Sequence, residues 1–77
     1  MTGSSESRPL ATLWRLAWNE DHLSCVVYRT GSGMMLNVES EQAVVITEHF
    51  ALQPRALARA QALRRALERR GWREPVS

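Results

Sequence analysis

At Pro54 the spacing of apolar residues changes from two to 3.6, dividing the chain into a strand-forming part and a helix-forming part. Before it, short apolar runs alternate with turn residues. Leu10 to Trp18 sets Trp14, Leu16 and Trp18 on one face, with Leu13, Arg15 and Ala17 on the other. Asn19-Glu20-Asp21-His22 is polar and ends that run. Leu23 to Thr30 is β-branched and aromatic at Val26, Val27 and Tyr28. Gly31-Ser32-Gly33 follows, and glycine supplies the positive φ that a tight reversal needs. Met34 to Glu39 places Met34, Leu36 and Val38 on one face, and Ser40-Glu41-Gln42 is a weaker turn. Ala43 to Phe50, with Val44-Val45-Ile46, closes the series. Connections this short join only antiparallel neighbours, so the strands form a meander.

Beyond residue 53 the pattern is that of an amphipathic helix from Pro54 to Arg70. Proline suits the first turn, where its missing N–H has no partner to lose. With Gln53 as the N-cap, Leu52 and Leu57 occupy the hydrophobic-staple positions. At 100° per residue, Ala56, Ala60, Leu63 and Leu67 share a narrow arc, with Leu57 at its edge. The alanines let the helix sit close to a sheet. Gly71 takes the left-handed position after the last turn, and Trp72 folds back over Leu67. The expected class is α+β: a three- to four-stranded antiparallel meander with one C-terminal helix packed on one face, ββββα.

A chain of 77 residues holds one domain. Residues 1–9 are small and polar and read as a disordered tail, 10–72 as the domain, and 73–77 as a short C-terminal tail. A helix of about 17 residues, roughly 25 Å long, covers one sheet face and not two. The covered face takes Trp14, Leu16, Trp18, Leu36, Val38, Val44, Ile46 and Phe50. The other keeps Leu13, Ala17, Tyr28, Met35 and Val45 among Arg15, Asn37, Thr47 and His49. That is more apolar than a face meeting only water requires. Leu13, Tyr28, Met35 and Val45 are therefore candidates for a sheet interface, in which this face, or an edge strand, pairs with a second copy or another partner.

Charge is distributed unevenly. Residues 1–50 hold three arginines and six acids, net −3; residues 51–77 hold seven arginines and two acids, net +5. Every basic residue is arginine. Arg55, Arg59, Arg64, Arg65, Arg69 and Arg70 lie around the helix, opposed there only by Glu68. Of these, Arg55, Arg59, Arg65 and Arg69 are candidates for contact with anions or nucleic acid. An acidic protein satisfies the same surface.

Chemistry-bearing residues are sparse. His22 and Cys25 lie three apart on a strand and so point to opposite faces, which opposes chelation with His49 as a third ligand. A lone cysteine in an apolar strand acts as a small hydrophobe and gives no internal disulfide. The carboxylate pairs Glu20-Asp21 and Glu39 with Glu41 lie in or beside turns. Gly31-Ser32-Gly33 joins two strands, not a strand to a helix, so it is no phosphate cradle. No catalytic, cofactor or metal site is expected, and neither enzyme activity nor a small-molecule ligand is indicated. No apolar run reaches leader or membrane-spanning length, so a cytoplasmic location without membrane contact is expected.

The phrase Leu63-Arg64-Arg65-Ala66-Leu67-Glu68-Arg69-Arg70-Gly71-Trp72 resembles the closing helix of a class of small uncharacterised bacterial proteins with a β-meander. That resemblance spans residues 12–72 and implies fold, not activity. More distantly, strands followed by an aromatic and an alanine-rich helix, Phe50 to Ala66, are similar to the arm-binding domains of phage-type integrases. Those read DNA through a three-stranded sheet that is usually basic, whereas residues 1–50 here carry −3. Neither resemblance transfers a functional residue. The expectation is a small non-catalytic interaction module, self-associating through its sheet; the alternative is a nucleic-acid-binding domain using the arginine helix.

Overall fold

The computed structural model describes residues 8–75; the first seven residues of the expected tail, and residues 76–77, lie outside that range. Four strands, β1 (Arg8–Trp18), β2 (Asp21–Thr30), β3 (Gly33–Glu39) and β4 (Val44–Phe50), precede one helix, α1 (Gln53–Arg69). Each strand pairs antiparallel with the next, giving the sheet order β1-β2-β3-β4. The class is α+β, ββββα. β1 opens at Arg8, earlier than Leu10, because Pro9 is tolerated on an edge strand where an N–H is not needed. No described helix is long and apolar enough to cross a membrane.

The turns follow from local chemistry. Asn19 adopts φ 58°, a conformation asparagine tolerates, between β1 and β2. Gly33 has φ 146°, and a Cβ there would collide with the Phe50 carbonyl oxygen across β4. Only glycine fits. Between β3 and β4, the Ser40 hydroxyl accepts from the Gln42 and Ala43 amides and donates to the Ala43 carbonyl.

The helix packs its alanines on the sheet. Ala56 and Ala60 are fully buried; Leu63 and Leu67 lie against Trp14, Leu16, Cys25, Leu36 and Val38. Because Ala60 is small, Trp14 reaches its carbonyl, donating from Nε1 at 2.8 Å in a buried bond between β1 and α1. At the C-terminus, the Trp72 amide donates to the Leu67 carbonyl and the Gly71 amide to that of Glu68. Gly71 has φ 109°, completing the expected Schellman motif. Trp72 then packs on Trp18, ring centroids 6.0 Å apart. Arg73 exchanges two backbone hydrogen bonds with Ala17, adding a bridge outside β1.

Four expectations are corrected. Trp18 is not covered by the helix: it ends β1 half-exposed, against Trp72. Leu13 does not lie on the open face: an irregularity between Thr12 and Trp14 makes it the extra residue of a bulge and turns it into the core. Val44 is not covered: the register slips between Val38 and Glu39, and Val44 is 52% exposed. The staple is absent. The N-cap is Leu52, one residue earlier than Gln53, with no side-chain cap, and both Leu52 and Leu57 are exposed.

Candidate interaction surface

The face opposite the helix is built from alternate residues of each strand. Tyr28 pairs with Met35, Val26 with Asn37 and Ser24 with Glu39 between β2 and β3; Asn37 pairs with Thr47 and Met35 with His49 between β3 and β4. The Tyr28 hydroxyl donates to Glu39 Oε2 at 2.7 Å, although those residues sit four positions apart in the register. The tyrosine ring therefore lies along the sheet over the Val26–Asn37 pair. This explains why Val26 and Asn37 are only 9% and 7% exposed on a face that no helix covers. Asn37 Nδ2 donates to the same Glu39 oxygen at 3.2 Å, and the Thr47 hydroxyl donates to Asn37 Oδ1 at 2.9 Å. Thr47, Asn37, Glu39 and Tyr28 thus form one connected polar strap. Its bond to Glu39 holds the Tyr28 hydroxyl above its ordinary pKa.

The candidate interface residues are therefore dispersed. Tyr28 and Met35 are cross-strand neighbours on the open face, Val45 is the exposed extra residue at the β4 register slip, and Leu13 is in the core. Sequence reasoning placed Asn37 and Thr47 on this face but missed their link to Glu39. Asparagine within the otherwise apolar run Met34–Val38 was the available sign, since a buried amide requires partners.

The two sheet edges differ. β1 carries Pro9, two register irregularities and the Arg73 bridge, all devices that block further strand pairing. Among the described residues, no backbone hydrogen bond is made on the outer side of β4. Its sequence, Val-Val-Ile-Thr-Glu-His-Phe, has no proline, lysine or arginine. Glu48 is its one acid, and Arg59 grips it with two parallel bonds, Nε to Oε1 at 2.9 Å and the second nitrogen to Oε2 at 3.1 Å.

That pairing also revises the arginine surface. Arg59 faces a carboxylate of its own chain, which holds its guanidinium above the ordinary pKa. Arg64 binds Glu68 and Glu74 at 3.0 and 2.7 Å. Arg73 donates to the Glu68 and Trp72 carbonyls, satisfying acceptors at the helix end. Arg55, Arg65 and Arg69 are exposed and have no ion pair among the described residues. Arg65 and Arg69 line an open concavity of about 420 Å³ with Glu68 and Arg73. Of the six helix arginines, Arg59 and Arg64 are ion-paired within the chain, and Arg55, Arg65, Arg69 and Arg70 have no ion pair among the described residues.

The chemistry-bearing residues are kept apart. Cys25 is in the core, where burial pushes its thiol up to about 11. His22 lies 3.7 Å from Glu41, lining a recess of about 200 Å³ with Glu20 and Asp21, while His49 is on the opposite sheet face from Cys25. Among the described residues no group of three or more His, Cys, Asp or Glu is placed to hold a metal ion. No family model matches the chain, and no curated protein or solved structure shows significant similarity to it.

Proposed function

We propose that this protein is a small non-catalytic interaction module that associates with a second copy of itself through its sheet. The observation that carries this reading is the asymmetry of the sheet: one face is roofed by α1 and one edge is blocked, while the β4 edge remains bare. An unguarded edge strand is a template for pairing, and proteins that stay monomeric block theirs. Cys25, a buried free thiol, fits a reducing cytoplasmic setting. Light scattering on the size-exclusion peak tests the proposal. At high micromolar concentration the mass should be about twice 8.8 kDa, with a melting temperature that rises with concentration. An 8.8 kDa species throughout rejects it.

A second reading is favoured by one observation, the exposure of Arg55, Arg65 and Arg69 without ion pairs among the described residues. In it the helix contacts nucleic-acid phosphates. Binding then weakens as salt rises, and Arg65→Glu/Arg69→Glu lowers the logarithmic slope by about 2 for the two lost contacts. No binding to duplex or single strands at low salt removes this reading.

A further inference from the structure

We infer that two copies join edge to edge through β4, about a two-fold axis at Thr47, into one eight-stranded antiparallel sheet with both helices on the same side. The inference rests on self-association as proposed above and specifies its surface and register.

Face-to-face stacking of two open sheets is the competing geometry, and the strap opposes it. Tyr28 already covers Val26, and Glu39, Asn37 and Thr47 place polar groups across the middle of the face. Stacking that face would bury a carboxylate, which is costly without a cation to pair it. Edge pairing buries no charge there. It satisfies the unpaired backbone groups of β4 and leaves the strap in water.

Symmetry narrows the register. A two-fold axis relating antiparallel edge strands stands perpendicular to the sheet, so opposed residues must lie on the same face. Their residue numbers then sum to an even value. Centring on Glu48 brings each Glu48 and the Arg59 that grips it against the same pair of the second copy, crowding four charged side chains at the axis. Centring on Thr47, the midpoint of Val44–Phe50, opposes the regular stretch Ile46–Glu48 of the two copies and leaves the Val45 irregularity outside it. Thr47 then faces Thr47 of the second copy, and Ile46 faces Glu48. The Thr47–Thr47 pair is a favourable cross-strand contact. Glu48 points toward the helix and would repel a partner if it were free. Arg59 neutralises it from within the same chain, so the edge carries no net charge.

Val45, exposed in the monomer, is partly covered at this seam, as is half-buried Ile46. Ala56 and Ala60 pack with residues of β1, β2 and β3, which seats α1 over the inner strands of the sheet.

Single-cysteine crosslinking in the full chain tests the register. In Thr47→Cys the two introduced Cα atoms are opposed at about 4.5–5.5 Å across the axis, within the separation a disulfide spans. In Val45→Cys the equivalent atoms lie on either side of the axis, more than ~10 Å apart. Native Cys25 is fully buried and stays silent. Mild oxidation should therefore convert most of Thr47→Cys into a covalent dimer and little of Val45→Cys. Circular dichroism of both variants checks that the fold is kept. Thr47→Ser, unable to crosslink, should remain a dimer by light scattering. A dimeric protein in which Thr47→Cys fails to crosslink, or crosslinks no better than Val45→Cys, overturns the edge geometry and leaves self-association standing. A monomeric wild-type chain overturns both.

Discussion

Replacing Trp14 with phenylalanine removes two things at once: the N–H that reaches the Ala60 carbonyl, and the outer ring of a side chain that is 4% exposed. The carbonyl keeps its place in the helical hydrogen-bond ladder, so the lost bond costs only about 1 kcal/mol. The missing ring leaves a void of roughly 40 Å³, which at about 24 cal/mol per Å³ adds ~1 kcal/mol. A total near 2 kcal/mol lowers the melting temperature of a domain this size by roughly 8–16 °C. The assay is thermal unfolding followed by circular dichroism at a helical wavelength, since removing a tryptophan compromises fluorescence. Trp18→Phe is the internal comparison: Trp18 is 49% exposed and makes no side-chain hydrogen bond among the described residues, so its loss should cost less than half as much. If Trp14→Phe melts within 2 °C of wild type, or no lower than Trp18→Phe, the β1–helix contact does not stabilise the fold as reasoned.

Gly33→Ala should destabilise by more than ~1 kcal/mol, because both the positive φ and the Phe50 carbonyl oppose a side chain; denaturant midpoints measure it. A double-mutant cycle of Glu48→Gln and Arg59→Gln should give a coupling of about 0.2–1 kcal/mol that shrinks in high salt, as for a largely exposed pair. In alkali the protein should lose stability progressively. Tyr28 and Cys25 both have folded pKa values above their ordinary ones, so the folded state binds more protons, and stability present below pH ~9 falls as pH rises through that range toward about 11 for Cys25. Urea melts at pH 8 and pH 10.5 report the fall, and Tyr28→Phe should reduce it; an unchanged midpoint in wild type contradicts the burial and bonding assigned to both groups.

The parts of this fold that were legible in advance are those fixed by local chemistry. The Gly31-Ser32-Gly33 reversal, the Ala56–Ala60–Leu63–Leu67 seam and the Gly71–Trp72 helix end all follow from residues a few positions apart. What escaped is what depends on pairing between distant segments. Leu13 looked outward because strict alternation assumes no extra residue, and a bulge reverses a side chain without leaving a mark in the sequence. The staple failed because Leu52 itself became the cap. Among the site candidates, Arg55, Arg65 and Arg69 are exposed as arginines on an outer helix face should be, whereas Arg59 is held by a carboxylate of its own chain. Its partner, Glu48, lies 11 residues away on a strand whose position under the helix sequence pattern alone does not specify. The strap from Thr47 to Tyr28 was hidden for the same reason: each of its bonds between strands requires the register to be known.

Amide hydrogen exchange measured across a dilution series addresses the β4 seam directly. If two copies share it, alternate amides of Val44–Phe50 exchange slowly at high micromolar concentration and speed up together on dilution, while the outer edge of β1 is indifferent to concentration. Exchange in β4 that is fast and identical at every concentration, or dilution-sensitive protection appearing along β1 instead, would contradict the assignment.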